Sequence, residues 1–136
     1  MDRNVGQIPC KAVLFDMDNT LFDLVHAKTM ACRRVTATLG AGDPGELFSY
    51  FLRRQGEFDD PENIRDFMQD HTCYERERFV KCVSIYREEQ TRNLTLYPGV
   101  EQTLASLTSS GFCLGIVTDA HTEDAYLRLG ATGLSR

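Results

Sequence analysis

Two carboxylates separated by one residue, Asp16 and Asp18, stand directly after the apolar run Ala12-Val13-Leu14-Phe15. In extended chain, positions i and i+2 point to the same side, so the pair is expected to face one cleft. Like charges held close are costly unless a cation joins them or one is protonated. Either arrangement supports catalysis, as a metal-bridged pair or as a nucleophile beside an acid. Three plainer readings compete. The segment Asp16-Met17-Asp18-Asn19-Thr20 could be a turn whose Asp and Asn side chains bond the backbone, or a surface Asp-x-Asp of no consequence. It could also be a calcium loop, but that needs Asp or Asn fifth and Gly sixth, where Thr20 and Leu21 stand. A second polar pair, Thr118-Asp119, ends the apolar run Phe112–Val117. His121 follows it and could approach a substrate, although a helix-capping or surface place is the more usual fate; His26 and His71 are weaker candidates. His71-Thr72-Cys73 has no second half that would make it a metal site. The five cysteines contain no Cys-x-x-Cys pair, which argues against zinc and against a disulfide framework. Cys10 and Cys113, beside or within apolar runs, read as small buried hydrophobes.

The elements that must position these groups follow from periodicity. Residues 11–15 and 112–117 are continuous apolar runs too short for helices, as expected of parallel strands covered on both faces. The edge beyond their C-terminal ends is where open α/β sheets bind ligands. Between them the sequence is helical. Leu24, Lys28, Ala31, Val35 and Leu39 form one stripe over 24–39, with Gly40 as the stop. Asp43-Pro44-Gly45-Glu46 predicts a helix with Asp at the N-cap, Pro at the first position and Glu reaching back. Asp60-Pro61-Glu62 repeats that start, and a longer helix is expected over 72–92. The Phe and Met stripes on these helices read as core faces rather than a ligand groove, and the interleaved charges of 53–92 as a solvated face. Tyr97-Pro98-Gly99 turns into a helix carrying Val100, Leu104 and Leu107; Gly111 ends it, and a last helix runs from near Thr122 to Gly130.

Composition bounds the class. The 136 residues carry 15 Lys+Arg against 20 Asp+Glu, a formal net charge of −5, with 42% hydrophobic and 26% charged residues. That suits a globular domain with a real core. The acidic balance and the lack of a basic stripe argue against nucleic-acid binding. No apolar run approaches the roughly 18 residues of a membrane span. The first nine residues hold no hydrophobic signal core, so the cytoplasm is the expected location.

Taken together, Asp16-Met17-Asp18-Asn19-Thr20-Leu21-Phe22 resembles motif I of the haloacid dehalogenase-like hydrolases, Asp-x-Asp-x-[Thr/Val]-[Leu/Val]. Gly115-Ile116-Val117-Thr118-Asp119-Ala120 resembles their motif II, and residues 96–119 are similar to the segment leading into it in members with a helical cap. The resemblance implies an α/β fold: a Rossmann-like parallel-sheet core, incomplete here, formed by 1–23 and 94–136, with an all-helical cap inserted at 24–93. It also implies a Mg²⁺-dependent phosphate-monoester hydrolase acting on a small phosphorylated metabolite. Asp16 would be the nucleophile that becomes an aspartyl-phosphate, and Asp18 the general acid and base. Mg²⁺ would bind the Asp16 carboxylate and the Asp18 backbone carbonyl. Thr118 and the backbone N–H of Asp119 would hold the phosphoryl group. An acid at Asp18 favours phosphoryl transfer over carbon–halogen cleavage. The family's motif III cation and motif IV acids have no counterpart after an apolar strand; Arg128, Arg136, Glu123 and Asp124 lie on or beside the last helix, and Lys11 at the wrong end of the first strand. The expectation is therefore an N-terminal portion of a longer hydrolase, itself with little turnover. A catalytically silent phospho-ligand binder and a phosphomutase of the same superfamily stand as alternatives.

Overall fold

The computed structural model describes residues 11–53 and 58–135. Strand β1, Ala12–Phe15, leads through a tight loop into helix α1, Leu24–Leu39. Helices α2 (Pro44–Leu52), α3 (Glu62–His71), α4 (Arg76–Arg92) and α5 (Val100–Ser109) follow, then strand β2 (Cys113–Ile116) and helix α6 (Thr122–Ala131). The strands pair in parallel, Ala12 opposite Cys113 and Phe15 opposite Ile116, so both run out at the same edge.

Two apolar clusters organise the chain. The first joins α1–α4 through Ala31, Cys32, Val35, Leu47, Phe51, Ile64, Phe67, Met68, Cys82 and Tyr86. The second, Met17, Leu21, Phe22 and Leu24, lies under the β1–α1 loop and takes partial cover from Leu96, Val100, Ala120, Ala125 and Leu129. The helix stripes therefore pack as core, and Gly42 shows how tightly: at φ +76°, a Cβ there would fall 2.2 Å from Phe67 Cζ.

Several local expectations shift. Asp43 does cap α2, its Oδ1 accepting from Gly45 and Glu46 N–H at 2.8 and 3.2 Å. Glu46 pairs instead with His71 across to α3, at 3.3 Å. Helix α3 starts one residue later than its Asp-Pro signal implies, at Glu62, whose N–H Asp60 Oδ1 accepts at 2.9 Å. The 72–92 helix begins only at Arg76, because Thr72 leaves α3 in extended geometry and its N–H closes the last turn on Met68 O at 2.8 Å. The strands are not covered on both faces: Leu14 is 66% exposed, and Cys113 is exposed rather than buried. A two-stranded sheet flanked on one side has no second layer to bury them, among the described residues. Cys10 and Arg136 lie outside those residues. None of the described helices is long and apolar enough to cross a membrane.

Candidate active site

The loop after β1 is shaped by its own polar side chains. Thr20 and Leu21 N–H both donate to Met17 O, at 3.3 and 2.9 Å, closing a turn beneath Asp16 and Asp18. Asn19 takes φ +56°, a left-handed conformation that Asn tolerates better than most residues. Its Oδ1 accepts from Leu24 and Val25 N–H at 3.0 and 3.1 Å, while Asp23 Oδ1 accepts from His26 N–H at 2.8 Å. Two side chains thus satisfy the orphan donors at the start of α1, and the loop is anchored to a rigid helix.

On the partner strand, Val117 N–H donates to Phe15 O at 2.9 Å. This carries the parallel register one step past the strands and sets Thr118-Asp119 beside Asp16-Met17-Asp18. Asp16, Asp18, Thr118 and Asp119, with Asn19, Leu24, Phe58 and Val117, line one cleft of about 620 Å³. All four sequence candidates therefore meet in one place.

Each is held differently. Exposed Asp16 accepts at Oδ2 from Thr20 Oγ1, 2.9 Å away. Thr118 Oγ1 accepts from Ala120 N–H at 3.1 Å; an accepting hydroxyl keeps its proton for a further acceptor. Asp18 is half-buried. Its Oδ2 receives Arg128 Nη1 at 2.6 Å, and its Oδ1 is buried without a hydrogen-bond partner. Burial raises the Asp18 carboxyl above the ordinary carboxylate value; the Arg128 guanidinium pulls it down but is outweighed, and Asp59, Asp16 and Asp119 add to the rise.

Arg128 was outside the candidate set. It lies on α6, 110 residues from Asp18, and its Nη2 also bonds Asp59 Oδ2 at 2.6 Å. Asp59 in turn pairs through Oδ1 with Lys28 of α1. Burial opposes ionisation of Asp59, yet Lys28 and Arg128 together hold its carboxyl below the ordinary value. Burial likewise lowers the Lys28 ammonium, against the pull of Asp59. Lys28 is fully buried and sits 3.8 Å from the Phe58 ring centroid. Thr20 was visible as part of the motif but not as a buttress. Phe58 and Asp59 carried no signal, since their placement depends on contacts distant in sequence. His26 is exposed and His71 pairs with Glu46; His121 precedes α6 and lines a recess with Asp18, Phe58 and Asp59.

For a divalent metal, the described residues hold no cluster of three or more His, Cys, Asp or Glu side chains. The exposed Asp16 carboxylate and the Asp18 backbone carbonyl, two positions apart on one loop, are nonetheless hard-oxygen donors of the kind Mg²⁺ uses when phosphate and water supply its other ligands. The residues present therefore fit a partial site.

The chain matches the family model of haloacid dehalogenase-like hydrolases over residues 13–136. The plasmid phosphoglycolate phosphatase of Cupriavidus necator is 31% identical over 134 residues, 95% of this chain and 56% of that protein. A solved Thermotoga maritima protein assigned as a β-phosphoglucomutase superposes with a TM-score of 0.73 at 25% identity, over 91% of this chain and 56% of that one. A Deinococcus radiodurans family hydrolase, solved with bound phosphate and sodium, gives 0.63 at 23% identity over 95% and 55%, a likeness of fold alone. The chain thus spans little more than half the length of these relatives.

Proposed function

Because the chain belongs to the haloacid dehalogenase-like hydrolases, we propose that it carries the nucleophile half of a phosphoryl-transfer site for small phosphorylated metabolites. The observation that supports this most is the single cleft shared by Asp16, Asp18, Thr118 and Asp119. In this reading Asp16 Oδ1 attacks phosphorus while Thr20 holds the opposite oxygen. The bond from phosphorus to the leaving oxygen breaks, and an aspartyl-phosphate forms. Asp18 gives a proton to the leaving oxygen and then takes one from the water that hydrolyses the intermediate. The elevated affinity of Asp18 for its proton suits it to the first of these steps. The Thr118 hydroxyl and the Asp119 N–H donate to the transferring group. Mg²⁺, held by the Asp16 carboxylate and the Asp18 carbonyl, would offset the repulsion between carboxylate and phosphate. The α1–α4 layer, residues 24–93, would be the cap over a core of 1–23 and 94–136, with Phe58 of that layer already lining the cleft. Free thiols at Cys32, Cys73, Cys82 and Cys113 agree with the cytoplasm, and nothing in the acidic composition favours nucleic acid or a membrane as partner.

The likeness to the Thermotoga protein favours a second reading of the same chemistry, a mutase that returns the phosphoryl group to a sugar phosphate. The test is incubation of the purified chain with Mg²⁺ and either an aryl phosphate or acetyl phosphate. Release of phosphate, or gain of one phosphoryl group by mass, is expected to vanish in Asp16→Asn. A signal that persists in Asp16→Asn removes the proposed nucleophile.

A further inference from the structure

The cleft accounts for Asp16, Thr118 and Asp119 but not for the three alternating charges behind Asp18. Asp18, Arg128, Asp59 and Lys28 form one chain of ion pairs that crosses from the strand layer to the helical layer. Arg128 gives Nη1 to Asp18 Oδ2 and Nη2 to Asp59 Oδ2, each at 2.6 Å. Asp59 uses its other oxygen for Lys28, which also donates to Phe58 O at 3.1 Å. The two cations are almost wholly buried, 4% exposed at Arg128 and 0% at Lys28, so neither has water as an alternative partner. Guanidinium holds two carboxylates in a fixed planar fork, unlike the freely rotating ammonium. One Asp18 oxygen is thereby fixed, and the other, buried and unpartnered, is left for proton transfer.

We propose that Arg128 is a positioning residue: anchored by Asp59 of the helical layer, it fixes the Asp18 carboxylate in the orientation needed to protonate a leaving group. This rests on the phosphoryl-transfer reading for its purpose but not for its geometry. Asp18 is then held only while the 58–61 segment is docked against α6, which couples the acid to the position of the helical layer.

Two measurements test it, on variants shown by circular dichroism to remain folded. The first is amide hydrogen exchange at Thr20 and Leu21, whose N–H groups close the turn that carries Asp18. Asp59→Asn is expected to speed their exchange about threefold or more, as local opening becomes easier. Arg128→Met is expected to do the same, and the double variant to add nothing. Unchanged exchange in both single variants, or fully additive effects, overturns the proposal. The second compares hydrolysis of an alkyl phosphate, which needs a proton on its leaving oxygen, with that of a nitrophenyl phosphate, which hardly does. General acids contribute about 10²–10⁴-fold, so mispositioning one should lower the alkyl-to-aryl ratio about tenfold or more in Arg128→Met, with partial recovery in Arg128→Lys. Equal losses on both substrates would reduce Arg128 to a structural ion pair and overturn the proposal. If the unsubstituted chain hydrolyses neither phosphate and Asp16 takes up no phosphoryl group, the phosphatase reading fails by itself, and the exchange experiment still decides Arg128.

Discussion

Replacing Asp59 with Asn is expected to cost far more than replacing Lys28 with Met: both break the Lys28–Asp59 pair, and Asp59→Asn also takes one of two carboxylates from Arg128, which keeps Asp18. Asp59→Asn leaves the Lys28 ammonium fully buried. Only neutral groups then face it, among them the amide oxygen that the substitution introduces, the Phe58 carbonyl at 3.1 Å, the Tyr86 hydroxyl at 3.4 Å and the Phe58 ring at 3.8 Å. Leaving one charge of a buried pair uncompensated costs about 3–5 kcal/mol. A desolvated cation–π contact returns up to about 2 kcal/mol, but it is present in both states of the comparison, so the loss should sit near 3 kcal/mol. Lys28→Met removes the charge itself. Asp59 keeps Arg128, and the Met side chain fills the aliphatic track between Phe51, Phe58 and Tyr86, so about 1 kcal/mol or less is expected. The double variant should therefore be more stable than Asp59→Asn alone by about 2 kcal/mol, a factor of roughly 30 in the folding equilibrium. Urea unfolding followed by far-ultraviolet circular dichroism reads these differences at constant slope. Equal losses in the two single variants, or a double variant at their sum, would refute the account of Lys28 as a charge stranded without Asp59.

Other variants probe the scaffold. Gly42→Ala places a Cβ on Phe67 at φ +76°, so a loss of about 2 kcal/mol or more is expected in the same urea assay, from left-handed strain of about 1–2 kcal/mol plus displacement of a buried ring. Asn19→Ala removes both the cap on α1 and the tolerance of φ +56°; about 1–2 kcal/mol should be lost, and Asn19→Gly, which restores only the backbone freedom, should recover part of it as a higher Tm. Acid stability has a definite sign. Asp59 titrates below its ordinary value of 3.8 when folded, so its contribution is present above that pH and disappears as pH falls through the folded value; Asp59→Asn should flatten the acid limb of a stability profile. Asp18, raised above 3.8, works the other way: its contribution is complete below that pH and is lost as pH rises through the folded value, so Asp18→Asn should remove this fall of stability with rising pH while losing activity.

What the sequence disclosed divides by range. Helix α1 was legible because its stripe and stop glycine lie within one segment, whereas its caps, Asp23 and Asn19, emerged only from the structure. The meeting of Asp16 with Thr118 was legible because two apolar runs ending in polar residues imply parallel strands with a common edge. Helix α4 was placed four residues early, since the break at Thr72 to Glu75 serves the turn between α3 and α4, and no Gly or Pro among Thr72-Cys73-Tyr74-Glu75 marks it. Arg128 was weighed only as a motif III cation and set aside because it lies on the last helix and follows no apolar strand. On α6 it stands beside Asp124 and among apolar residues, much as any solvated helical arginine would, and only the packing of α4 against α6 and the approach of Asp59 make it a buried partner of Asp18.

The strands pose a different conflict, between what their composition asks for and what surrounds them. Leu14, Leu114, Ile116 and Val117 belong to runs with no polar alternation, yet they are 66, 37, 37 and 61% exposed. A solvent-facing sheet ordinarily alternates, because each exposed apolar side chain forgoes the burial that offsets its ordering. Gly115 adds a second sign: a Cβ there would lie 2.7 Å from Leu14 Cδ2, so the face is built for close approach although little covers it. Relatives nearly twice as long share this fold. Runs without polar alternation are what parallel strands covered on both faces carry, so the composition of β1 and β2 asks for more cover than the described residues give their outer face.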